Sequence, residues 1–136
     1  MRSMGLDIGD KRIGIALGDP SGILASPFTT INRNDDVMTL EVITEIAKEQ
    51  EVDIIIAGLP RSMNGSIGRQ AEKVEKFVTG LRRQTKIPVE YRDERLSTVS
   101  AGRMMKETKT KKIKDKGKID AIAAAIILQG YMDEDQ

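Results

Sequence analysis

The sequence predicts an α/β sandwich, and three observations lead there. Three β-rich stretches, separated by turn signals, fill the first 32 residues. A continuous β-branched run, VDIIIAGLP (52–60), reads as a strand buried on both faces. Helical periodicity alternates with the later strands, so the order is βββαβαβαα, an antiparallel meander extended by two strands reached through helical crossovers.

Each element has its own justification. Ser3 to Gly9 is β-rich, the turn GDKR reverses the chain, and IGIALGD continues it as the second strand. DPSG (19–22) is a turn signal, and ILASPFTTI (23–31) follows as the third strand. Pro27 cannot donate to a ladder, which places that strand at an edge. Asp35-Asp36 supplies a cap for a helix from about 36 to 50, with Val37, Leu40, Ile43, Ile46 and Ala47 at helical spacing. After the loop SMNGSIG, a second helix over about 67–83 carries the stripe Ile67, Ala71, Val74, Phe77, Val78 and Leu81. IPVEYRDE (87–94) is the fifth strand, and Ser97 to Glu107 a short helix capped by Ser97 or Thr98. A lysine-rich, poorly patterned segment (108–118) precedes a last helix from Ile119 to about Met132. There is no internal repeat, and residues 1–136 read as a single domain.

Composition excludes several chemistries. Cysteine is absent, so disulfides, thiolate nucleophiles and zinc–thiolate sites are ruled out. Histidine is absent too, which removes the usual general base and the commonest transition-metal ligand. The longest apolar run, Ala121 to Leu128, is too short to span a bilayer, and a cytoplasmic location with no membrane partner is expected. The net charge of +1 hides an asymmetry: residues 69–118 carry sixteen basic and seven acidic side chains, whereas the stretches on either side are acidic.

Three carboxylates raise a question. Asp7 lies in GLDIGDKRIGIALGD (5–19), where Leu6 and Ile8 point to one face and Gly5, Asp7 and Gly9 to the other. The glycines are expected to leave an open floor around Asp7, and a charge on such a floor is costly unless paired or metal-bound. The alternative is an aspartate satisfied by a turn amide. On helical spacing Asp120 shares a face with Ala123, Ala124 and Ile127, so it points toward the sheet or serves only as a first-turn acid favoured by the helix dipole. Glu94, in YRDERLST, belongs equally well to a solvated charge cluster. Taken together, the three acids match a site for one or two hard cations, Mg²⁺ or Mn²⁺, of the kind that activates water for phosphodiester hydrolysis.

Four stretches, GLDIGDKRIGIALGD (5–19), AGLPRSMNGSIGRQAEKVEKF (57–77), YRDERLSTVSAGRMM (91–105) and IDAIAAAIILQGYM (119–132), together resemble the YqgF family, also called RuvX. These are small bacterial proteins of the ribonuclease H-like superfamily, labelled as Holliday-junction resolvases or as nucleases maturing the 5′ end of pre-16S ribosomal RNA. The resemblance implies a five-stranded mixed sheet of order 3-2-1-4-5 flanked by helices. It also implies an acidic triad falling on Asp7, Glu94 and Asp120 as catalytic and metal-binding residues. In that order the fifth strand lies two strands from the first, so Glu94 must reach the site from beyond its strand end. GLPRSMNGS departs from the family's pattern, with Asn64 where Asp is more usual. A substrate-facing loop and a plain βα connection both remain open for it.

The lysine run TKTKKIKDKGK (108–118) joins the elements carrying Glu94 and Asp120. Lys109, Lys111, Lys112, Lys114 and Lys116, with Arg12, Arg69 and Arg95, are therefore nucleic-acid-binding candidates that would grip phosphates. Arg92 and Arg103 are further phosphate candidates, and a merely solvated run is the competing reading. Aromatic residues make up only 3%, which argues against a base-stacking platform. The expected function is a metal-dependent endonuclease acting on structured RNA precursor or branched DNA, as a monomer or weak homodimer. Two other classes compete. The opening D-x-G-x-x-x-x-G-x-A hairpin also fits actin-type phosphotransferases, but those duplicate the fold and 136 residues supply one half. A non-catalytic nucleic-acid-binding module would explain the lysines but not the acids.

Overall fold

The computed structural model describes residues 2–60, 68–93 and 116–134. Five strands form one mixed sheet: β1 (Ser3–Ile8), β2 (Arg12–Gly18), β3 (Ala25–Asn32), β4 (Ile54–Leu59) and β5 (Val89–Asp93). Their order is β3-β2-β1-β4-β5. β1 pairs antiparallel with β2 and parallel with β4, β2 pairs antiparallel with β3, and β4 pairs parallel with β5. The central strand is thus held by ladders on both sides. Pro27 sits on the outer strand β3, as expected, and the β2–β3 register shifts there between Ile15 and Ala16.

Three helices are described: α1 (Asp36–Glu49), α2 (Arg69–Gln84) and α3 (Lys116–Glu134). Asp35 caps α1 by accepting from the Val37 amide at 2.9 Å. Leu40, Ile43 and Ala47 of α1 are buried, while Val37 stands 59% exposed, because position 37 faces outward from the first turn. In α2 the expected stripe is the buried one: Ala71, Val74, Phe77, Val78 and Leu81. These residues pack on Met4, Leu6, Ile8, Ile13, Ile15, Leu17, Ile55, Ala57 and Leu59, the larger apolar cluster.

The opposite face carries a second cluster, in which Ala16, Ile54 and Ile56 meet Ala124, Ala125, Ile127, Leu128 and Met132 of α3. Every residue of β4 is buried because its alternate side chains feed the two clusters, as a continuous apolar run requires. The described part of α3 opens at Lys116, ahead of the expected start at Ile119, so the end of the lysine run is helical. Lysine is a good helix former, and only the absence of apolar periodicity hid this turn. No described helix is long and apolar enough to cross a membrane. The expected helix over 97–107 and Gly65 of the loop after β4 lie outside the described residues.

Candidate active site

Asp7 is the next-to-last residue of β1, directly opposite Gly14 of β2. Opposed residues of an antiparallel pair share a face and lie about 4.5–5.5 Å apart. Leu6 and Ile8 belong to the cluster beneath α1 and α2, so Asp7 and Gly14 look toward α3. A Cβ at Gly14 would collide with the carbonyl of Asp120 and lie 2.8 Å from the Ala121 nitrogen. The backbone of α3 therefore rests directly on β2 at this point. The strand ladder and the helix contact together bring Asp7 and Asp120 to the two sides of one glycine.

This geometry corrects the open-floor reading of the glycines around Asp7. A Cβ on Gly5 would lie 2.7 Å from the Ala124 carbonyl oxygen and 2.8 Å from Leu128 Cβ, so Gly5 is filled by the helix. Gly9 serves the hairpin, where its amide donates to the Arg12 carbonyl at 2.9 Å and a Cβ would sit 2.8 Å from the same oxygen. Gly5 and Gly14, with Ala16, form a shallow bed for the Ala-rich face of α3, and Asp7 and Arg12 are charged groups at its edge.

Asp120 faces the sheet, with Ala124 and Ile127 of its stripe buried beyond it. Four helical residues, 116–119, precede Asp120, so it lies beyond the first turn of α3. The favourable dipole effect fades beyond the first turn, so it does not account for an acid here. Its carboxylate has a specific partner: Arg12 Nε donates to Asp120 Oδ2 at 2.7 Å, with the two side chains 36% and 23% exposed. That distance marks a charge-assisted hydrogen bond. Arg12, expected to contact phosphate, is engaged with an acid in this state.

The hairpin bearing Arg12 is itself tied down. The Arg33 amide donates to the Lys11 carbonyl at 2.8 Å, and Arg33 Nη1 donates to the Gly9 carbonyl at 3.0 Å. The same guanidinium lies 4.7 Å from the Phe77 ring centroid and pairs with Asp36 at 2.8 Å. Donation by Arg33 holds the Asp36 carboxyl below its ordinary value. Lys73 of α2 adds a contact to Asp10 at 3.6 Å. Arg33 carried no signal in the sequence, because its partners come from three separate elements.

Other candidates separate. Arg92 is drawn away from a phosphate-binding role. Its side chain is 13% exposed, pairs with Glu134 at 2.6 Å, and occupies the space a Cβ on Gly130 would need. Arg69 stands exposed at the start of α2, and Lys116 is the first described residue of α3. Glu94, Arg95, Arg103, Lys109, Lys111, Lys112 and Lys114 lie outside the described residues. Among the described residues no group of three or more acidic, histidine or cysteine side chains is placed to hold a metal ion. Asp7 and Asp120 are the two expected acids that lie among the described residues. β4 separates β5 from β1, so the end of β5 at Asp93 lies roughly 10 Å from β1. The donors brought together are carboxylate oxygens alone, which fits Mg²⁺ or Mn²⁺ and not a soft metal.

Comparison with known proteins identifies the family and the fold. Residues 1–134 match the family model RuvX, described as Holliday junction resolvase. A Clostridium novyi protein is 44% identical over 133 residues, covering 98% of each chain. A Clostridium botulinum protein is 47% identical over 133 residues, covering 98% of this chain and 97% of its own. Both are named as candidate pre-16S rRNA nucleases. Among solved structures, Thermus thermophilus RuvC in complex with a Holliday junction substrate superposes with a TM-score of 0.61 at 12% identity, covering 99% of this chain and 96% of that one. At that identity the likeness is one of fold, and it is the ribonuclease H-like fold. With its model matched along nearly the whole chain and relatives above 40% identity, the chain belongs to the RuvX family.

Proposed function

We propose that the protein is a divalent-metal-dependent endonuclease that hydrolyses phosphodiester bonds in structured RNA, trimming the 5′ end of a pre-16S ribosomal RNA in ribosome biogenesis. The observation that carries this reading is the convergence of Asp7 and Asp120 on Gly14 in a chain with no histidine or cysteine. Asp7, Asp120 and Glu94 are the residues that would hold Mg²⁺ or Mn²⁺. When bound, the metal supplies an activated water and stabilises the leaving oxygen. The protein's own part is positional. β1 fixes Asp7 opposite Gly14, Gly14 fixes the height of Asp120, and the tied hairpin presents Arg12 to Asp120.

The lysine run supports a nucleic-acid substrate. Lys116 lies four residues before Asp120, about 6 Å along the helix axis, so the run enters α3 beside the acids. Lys109, Lys111, Lys112 and Lys114 precede it and would hold phosphates irrespective of base sequence, with Arg69 and Arg95 as further contacts. Junction resolution is the second reading, favoured by the family model's description. It requires two symmetric cuts and hence a dimer, whereas one-sided RNA trimming is open to a monomer.

The deciding experiment compares cleavage of a pre-16S leader RNA and a four-way DNA junction at matched Mn²⁺ and salt, using native protein and the Asp7→Asn and Asp120→Asn variants. RNA cutting lost in both variants, with the junction left intact, is the expected result. Junction cutting alone moves the protein to the second reading. Full RNA cutting by either variant removes that residue from the mechanism. Binding without cleavage of either substrate makes the protein a non-catalytic module.

A further inference from the structure

The Arg12–Asp120 bridge joins a cation to an acid proposed to bind a metal ion, and three observations say which side of the bridge gives way. Asp120 cannot retreat, because its carbonyl is pressed on Gly14 and the helix behind it is buried along Ala121, Ala124 and Ala125. The Arg12 backbone cannot retreat either, since its carbonyl accepts from Gly9 and its hairpin is held by Arg33. The Arg12 side chain is over a third exposed and bonded through Nε, so it is the movable part. A guanidinium and a dication beside the same carboxylate repel each other, and no other change relieves that repulsion as cheaply as swinging the long side chain outward.

We infer that Arg12 is a cation latch: it neutralises Asp120 while the metal is away, is displaced when the metal binds, and then turns its guanidinium to a phosphate of the nucleic acid. The inference rests on the metal-binding reading of Asp120 and adds an exchange of partners to it. The competing account is a static staple between β2 and α3, in which Arg12 orients Asp120 with or without metal. The two differ in sign. A latch competes with metal, whereas a staple helps it.

Calorimetric titration with Mn²⁺ measures that sign without any cleavage. A part-buried pair of this kind contributes roughly 1 kcal/mol, so Arg12→Gln is expected to bind Mn²⁺ about fivefold more tightly than native protein. Lys11→Gln removes a neighbouring exposed charge and is expected to change affinity less than about twofold, which separates the specific contact from the general field. In a Mg²⁺ titration followed by NMR, the Arg12 Nε–H signal, assigned by its loss in Arg12→Lys, should leave its hydrogen-bonded position in step with binding. Nucleic-acid affinity of Arg12→Gln measured in Ca²⁺ should fall, and its salt slope should drop by about one. Weaker or equal Mn²⁺ binding by Arg12→Gln, an Nε–H signal unmoved at saturating Mg²⁺, or an equal gain from Lys11→Gln each overturns the latch while leaving the metal site standing. No metal binding by either native protein or Arg12→Gln overturns both the latch and the metal reading beneath it.

Discussion

Replacing Gly14 by alanine tests the geometric basis of the site most directly. The added methyl would meet the carbonyl of Asp120 and lie 2.8 Å from the Ala121 nitrogen, inside any ordinary carbon contact. All of these are backbone atoms, so no side-chain rotation relieves the clash, and the first turns of α3 must lift from β2. Overpacking against rigid neighbours costs about 3 kcal/mol at the upper end of its usual range. For a domain of this size that lowers Tm by roughly 10 °C. The same displacement separates Asp120 from Asp7 and from Arg12, so Mn²⁺ affinity should fall together with stability. Gly5→Ala meets Ala124 and Leu128 less severely, at 2.7 and 2.8 Å, and should cost less. Gly68→Ala, with open space around it, should shift Tm by no more than about 2 °C. Thermal unfolding by circular dichroism and calorimetric Mn²⁺ titration read the two effects. A Gly14→Ala protein that melts with the native one and binds Mn²⁺ equally well would refute the claim that helix and strand touch at this glycine.

Other expectations follow from the same arrangement. Asp7→Asn and Asp120→Asn should keep the native far-ultraviolet spectrum while cleavage falls by about a hundredfold or more, as measured with the RNA and junction substrates above. Changing Lys111, Lys112 and Lys114 together to alanine should lower the slope of log affinity against log salt by about 2–3, and an unchanged slope makes the run a bystander. Arg33 depresses the Asp36 carboxyl, so that pair contributes stability above the ordinary value of 3.8 and loses it as pH falls through the lower folded value. Acid unfolding of Arg33→Met should accordingly be less steep below pH 4 than that of native protein, as followed by fluorescence-free circular dichroism; equal steepness would contradict the assignment.

Much of the fold could be read from local patterns because the elements are locally consistent. Pro27 marked the edge strand, the Asp35 cap marked α1, and the stripe from Ala71 to Leu81 marked the buried face of α2. Asp120 meets β2 through its carbonyl and through Arg12, one of the two readings its spacing left open. What stayed hidden depends on pairs distant in sequence. The alternation Gly14, Ala16, Gly18 opposite Gly5 is visible in the chain, but it reads equally as room for a ligand or room for a helix. Only the position of α3 decides that. The Arg12–Asp120 and Arg92–Glu134 bridges join different elements, so no local window contains them. Val37 kept helical spacing yet faced outward, since an apolar residue at the margin of a stripe satisfies the pattern without reaching the core.

The two carboxylates sit on elements of very different robustness. Asp7 belongs to the middle strand, whose amides open only when the whole sheet comes apart. Asp120 belongs to a helix that meets the sheet through side-chain packing and the Arg12 bridge, with no backbone ladder between them. Loosening of that helix as a unit would disarm the protein while the sheet stays intact. Mild heat or urea should therefore extinguish function well ahead of global melting.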